Sequence, residues 1–168
     1  MRSLLPILIL FLFSCNNAAD KKCKYGTPTP VFSKEISAVL DHSFETKDQT
    51  STEQATFENG MHLQLQQSGC NDIKQVFQFT IERPGEGEPN WFLLVADQFV
   101  YLSGISDQTV SLGMWASVIS SNASLFKFGL PIEVEKGFFV KIDKIDSGKN
   151  AILLVELSEN LYPATEQQ

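Results

Sequence analysis

Met61-His62-Leu63-Gln64-Leu65-Gln66 alternates apolar and polar residues without a break. Side chains on a strand point to opposite faces in turn, so this pattern describes a strand with one buried face. Asn59-Gly60 stands directly before it, a pair that favours a tight hairpin turn with positive φ at both central residues. Gln54–Glu58 is therefore expected to pair with Met61–Gln67. Ser68-Gly69-Cys70-Asn71-Asp72 reads as a second turn. Phe77, Phe79 and Ile81 then alternate with Gln78, Thr80 and Glu82 as a third strand. The expectation is a three-strand meander, with Leu and Phe on one face and a Gln-rich opposite face.

Upstream, residues 31–52 read two ways. Ile36, Val39 and Leu40 suit a helical turn, whereas Ala38, Leu40, His42 and Phe44 suit alternation. The polar stretch Thr46 to Thr52 reads as a loop. Downstream, Arg83-Pro84-Gly85-Glu86-Gly87-Glu88-Pro89-Asn90 holds too many Pro and Gly for regular structure. After it, Phe92, Val95, Phe99 and Leu102 recur at helical spacing, which predicts an amphipathic helix over 90–103 closed by Ser103-Gly104. Asp107 is placed to cap a second helix ending near Asn122, with Val110, Met114, Trp115 and Val118 on its buried stripe. Gly113 weakens that helix.

The last third returns to alternation: Ile132 and Val134 with Glu133 and Glu135, then Phe138, Val140 and Ile142 with Phe139, Lys141 and Asp143. Ala151-Ile152-Leu153-Leu154-Val155 is continuously apolar, the pattern of a central strand buried on both faces. A strand meander, two helices and a second strand meander predict an α+β fold, a mostly antiparallel β-sheet with the helices packed on one face. Residues 31–168 are expected to form this single α+β domain.

The whole chain has 168 residues, 43% of them hydrophobic, including 13 Phe, which excludes a disordered polypeptide. Its formal charge of −7 argues against nucleic acid, whose binding needs a basic surface to release counterions.

The chain opens with Met1-Arg2-Ser3 and then an apolar run from Leu4 to Phe13, interrupted only by Pro6. A bilayer core needs roughly 20 apolar residues in a helix, so this run is an export signal and not a span. Leu12-Phe13-Ser14-Cys15 resembles the lipobox of bacterial lipoproteins: an aliphatic residue, a variable one, a small one, then Cys. The resemblance covers the signal alone. It implies that residues 1–14 are a lipoprotein signal peptide and that Cys15 is the first mature residue and carries the lipid, palmitate among its acyl chains. The other reading is an ordinary secretory signal cut near Ala18-Ala19. Asn16, in place of Asp, resembles the enterobacterial pattern for delivery to the outer membrane, facing the periplasm or the cell surface.

Without Arg2 the thirteen basic residues fall to twelve against twenty acidic ones, a mature charge of about −8, and Arg83 is the single arginine left. A site built on several Arg forks is therefore not expected. Residues 15–30 are polar, with Lys21, Lys22, Lys24 and Thr27-Pro28-Thr29-Pro30, and read as a tether. Cys23 and Cys70 remain as one pair in an exported chain, which points to a disulfide; a metal pair and two free thiols are the alternatives.

Candidate chemistry is sparse. His42 and His62 are the two histidines, and a solvated surface position is expected for them. No catalytic residue is assigned: there is no G-x-S-x-G elbow, no H-E-x-x-H and no Gly-rich phosphate loop. Glu82, Glu86 and Glu88 crowd one loop, as a solvated acidic segment, a contact for a basic partner or a calcium loop without EF-hand spacing. Trp91 and Trp115 read as core residues or exposed anchors. Gln64, Gln66, Gln67, Gln75 and Gln78 form either a wet sheet face or one that hydrogen-bonds a partner or a glycan.

No cofactor or metal is called for. The sequence is expected to encode a non-catalytic binding module of the cell envelope, held to the membrane through lipid on Cys15. The alternatives are an acidic immunity or inhibitor protein against a basic envelope enzyme, an assembly subunit of an envelope complex, and an enzyme.

Overall fold

A computed structural model describes residues 26–69, 72–83, 85, 87–105 and 109–159. Seven strands form one sheet: β1 (Val39–Lys47), β2 (Thr50–Phe57), β3 (His62–Ser68), β4 (Lys74–Glu82), β5 (Pro131–Glu135), β6 (Phe138–Ser147) and β7 (Asn150–Glu159). Two helices, α1 (Trp91–Ile105) and α2 (Thr109–Ser121), come between β4 and β5. The spatial order is β1-β2-β3-β4-β7-β6-β5, and every neighbouring pair is antiparallel. The fold is α+β, as the alternation of strand and helix patterns predicts.

The helices cover one face of the sheet. Phe99 of α1 packs edge-on against Phe77 and Phe79, with ring centroids at 4.9 and 5.4 Å. Trp115 of α2 stacks on Phe138 at 5.0 Å. Leu65, Phe77, Phe79, Val140, Ile142, Leu153 and Val155 point inward and are essentially solvent-free. Gly113 does not break α2. It lies beside α1, where an added Cβ would meet Ser103 Cβ at 3.8 Å, an ordinary contact.

The first meander has four strands, not three. Thr46–Thr52 is not a loop: it is the end of β1, a turn at Asp48-Gln49 and the start of β2. Asp48 takes a left-handed φ of 57° in that turn, a conformation Asp adopts more readily than most side chains. Leu40 is the extra residue of a bulge, since Val39 faces Phe57 while Asp41 faces Thr56. The bulge shifts the phase of the strand, so Leu40 points out while Val39, His42 and Phe44 share the inward side.

The β2–β3 hairpin also differs from the two-residue turn expected at Asn59-Gly60. Gly60 N–H donates to the Phe57 carbonyl and Phe57 N–H to that of Met61, which closes a three-residue loop. Gly60 alone takes positive φ, at 83°, the usual arrangement of a type I turn followed by a left-handed residue.

Three further readings need correction. α1 runs through Ser103-Gly104 to Ile105. Met114 is half exposed, and the inward stripe of α2 is Leu112, Trp115, Ala116 and Ile119. β7 is central but one-sided: Ala151, Leu153, Val155 and Leu157 are buried, whereas Ile152 and Leu154 on the other face are only partly covered. The Asp107 cap and the Val110 side chain lie outside the described residues.

Candidate functional site

The register places a row of carboxamides on the helix-free face. Gln54 of β2 lies directly opposite Gln64 of β3, which lies opposite Gln78 of β4. Ser43 of β1 extends the row beside Gln54. In the next row, Asp41, Thr56, His62 and Thr80 are aligned across the same four strands. Together these residues line a shallow open cavity of about 220 Å³.

Gln67 and Gln75 do not belong to this face. They have the parity of Leu65 and Phe77 and lie on the helix side, where Gln75 Nε2 donates to Gln67 Oε1 at 3.0 Å. Gln67 in turn donates to the Thr29 carbonyl at 3.3 Å. Gln66 is on the open face, opposite Thr52 and Val76. Gln54 joins the site in their stead. The two-residue turn expected at Asn59-Gly60 would set Gln54 opposite Leu65; the three-residue loop shifts the register by one and brings Gln54 opposite Gln64.

The electrostatics of the open cavity are close to neutral. Asp41 is its one carboxylate, and its charge is already engaged: Lys34 Nζ approaches at 3.3 Å and His42 N–H donates at 2.9 Å. The Lys34 hydrogen bond, helped by that N–H, holds the Asp41 carboxyl below the usual range. His62 is exposed, and its Nδ1 is 3.0 Å from Thr56 Oγ1.

His42 is not a solvated histidine. Its side chain is 12% exposed and its Nε2 lies 2.8 Å from Oε1 of Glu53, a carboxylate with no exposure at all. Glu53 also accepts the backbone N–H groups of Val31, at 2.9 and 3.1 Å to its two oxygens, and of Phe32 at 2.8 Å. A buried carboxylate is tolerable only when its oxygens are satisfied in this way. The cluster clamps the segment before β1 onto β2, and Phe32 then packs edge-on against Phe57 at 5.4 Å. Glu53 was the residue sequence reading missed. Its signal was parity: it falls on the same side of β2 as Ala55 and Phe57.

A second charged cluster closes the far end of the sheet. Trp91, nearly buried, donates from Nε1 to Glu88 at 2.7 Å, and Lys144 Nζ lies 4.4 Å from its ring centroid. Lys144 also faces Asp146 at 3.3 Å, and Arg83 donates to Asp146. The Lys144 hydrogen bond leads the effects that hold the Asp146 carboxyl below its usual range. Glu88 is thus engaged with the fold, Glu82 is exposed at the end of β4, and Glu86 lies outside the described residues. Both tryptophans are core residues.

Among the described residues, no three His, Cys, Asp or Glu gather as a metal site, and no helix is long and apolar enough to cross a membrane. Cys15, Cys23 and Cys70 lie outside the described residues. Gly26 and Pro28, three and five positions after Cys23, line a second cavity together with Ser68 and Gly69, which directly precede Cys70. No family model, no curated protein and no solved structure matches the chain.

Proposed function

We propose that this chain is a lipid-anchored, non-catalytic binding module of the bacterial cell envelope, which engages its ligand with the helix-free face of the sheet. The observation that carries the reading is the neutral row Ser43, Gln54, Gln64 and Gln78 around an open cavity. Hydrogen-bonding groups gathered on a rigid sheet suit recognition. The lipobox-like Leu12-Phe13-Ser14-Cys15 supports the anchor, and dual acylation holds a protein to a bilayer stably.

A Cys23–Cys70 disulfide belongs to the same reading. Gly26, Pro28 and Thr29, shortly after Cys23, lie beside Gln67–Gly69, which lead into Cys70. Two thiols would become one disulfide by exchange with a disulfide-bearing oxidoreductase of the envelope, which takes up the two electrons and two protons and leaves as the dithiol.

The test is site-specific photo-cross-linking of the full chain in a bacterial envelope, with the probe at position 78 and, for comparison, at position 97 on α1. An adduct at 78 and none at 97 is the expected result. The reverse would overturn the assignment of the face. Labelled fatty acid should enter the protein and be lost in Cys15→Ser; label retained in that variant, or absent from the parent, would remove the anchor.

A further inference from the structure

Resting on that reading, we infer that the ligand of the helix-free face is an uncharged saccharide bearing acetamido groups. The inference stands on three features. First, Gln54, Gln64 and Gln78 lie in direct register, and none of their carboxamides hydrogen-bonds to another described residue. Gln64 and Gln78 are partly buried, and their amides remain without a hydrogen-bond partner among the described residues. Each offers two N–H donors and a carbonyl acceptor. An acetamido group presents the complementary N–H and C=O, and sugar hydroxyls both donate and accept.

Second, the spacing suits an extended ligand. Adjacent strands lie ~4.8 Å apart, so the three amides form a ladder roughly 10 Å long. Ser43 continues this ladder past Gln54, while Thr56, His62 and Thr80 supply a parallel polar row. An extended ligand lying across the strands meets a donor and an acceptor at every rung.

Third, the charge balance selects against ions. No Lys or Arg lines the cavity, so an anion would find no counter-charge there. Asp41 is already paired with Lys34 and the His42 N–H, so a cation gains little. Desolvating an ion without a partner is costly, whereas a neutral amide exchanges water for equivalent hydrogen bonds.

The probe is a β-1,4-linked trimer of N-acetylglucosamine, titrated into the full chain in detergent micelles while the side-chain amide resonances of Gln54, Gln64 and Gln78 are followed by NMR. Saturable shifts confined to these amides and their neighbours are expected. The de-N-acetylated, cationic trimer should bind at least tenfold more weakly. In Gln64→Ala/Gln78→Ala, on the solvent side of the sheet, affinity should fall at least tenfold while the backbone spectrum stays folded. No saturable shift, equal binding of the cationic trimer, or unchanged affinity in the double variant would each overturn the inference. The two failures are distinguishable. A cross-link at position 78 without a sugar response removes the saccharide and leaves the binding face. No cross-link at 78 removes the face itself.

Discussion

On the helix side of the sheet, β2 is closed over by residues 31 and 32, whereas β4, β7 and β6 are closed over by α1 and α2. The first closure is polar at its centre: one buried carboxylate, two backbone N–H groups and one imidazole. The second is almost pure hydrocarbon, with Phe77, Phe79, Phe99, Leu153 and Val155 at 0 or 1% exposure. Hydrocarbon packing is non-directional and spreads its stabilisation over every element that touches it. A clamp of directed bonds holds one segment in one place and fails as a unit. The two closures meet at Tyr101, whose ring stands edge-on to Phe57 at 5.9 Å.

Four experiments would break or sharpen this contrast. Phe99→Ala empties the centre of the hydrocarbon closure. It should cost about 3–5 kcal/mol, read by denaturant unfolding, and lower hydrogen-exchange protection throughout the sheet. Glu53→Ala should cost about 3 kcal/mol, since two buried N–H groups and His42 lose their acceptor. Its exchange pattern should differ: residues 31–38 lose protection while β4 and β7 keep theirs. Uniform loss in Glu53→Ala would show that the clamp is part of the main core.

The seam gives a smaller effect of opposite sign. The Tyr101 hydroxyl is buried without a hydrogen-bond partner among the described residues. That burial, with the Glu58 charge adding to it, raises the Tyr101 pKa. Tyr101→Phe should therefore stabilise by about 1 kcal/mol, seen as a higher denaturant midpoint with unchanged slope. The smallest effect belongs to Asp146. Its folded pKa is depressed, so the stability it contributes is present above the ordinary value of 3.8 and is lost as pH falls through the folded pKa. Asp146→Asn should flatten the stability profile in that acid window and leave its shape near neutrality unchanged.

The same contrast explains what the sequence made legible. Met61–Gln66, Phe77–Ile81 and Phe138–Ile142 announced themselves because their inward positions are hydrocarbon. β2 hid its first half because its inward residues there are Ser51 and Glu53, which carry no apolar alternation. β1 hid because the bulge at Leu40 puts Ala38 and Leu40 out of phase with His42 and Phe44. The helical stripe of α1 was readable, yet its end was not. Gly104 commonly stops a helix, but here nothing crowds it and the helix continues. Of the candidate site, Gln64, Gln78 and His62 were visible by parity within their own strands. Assigning Gln67 and Gln75 to the same face ignored that parity. Gln54 entered only through cross-strand register, a property of two segments together.

The Glu53 clamp also has a mechanical meaning. β1 is an edge strand, bonded on one side alone, and a pull on the N terminus that entered the fold at β1 would peel it from β2 rung by rung. The clamp intercepts that load earlier. Val31 and Phe32 are fastened to β2 itself, so tension from the preceding chain passes to the second strand and leaves the edge slack. Glu53 acts as a strain relief, like the grip that spares a cable's soldered joint.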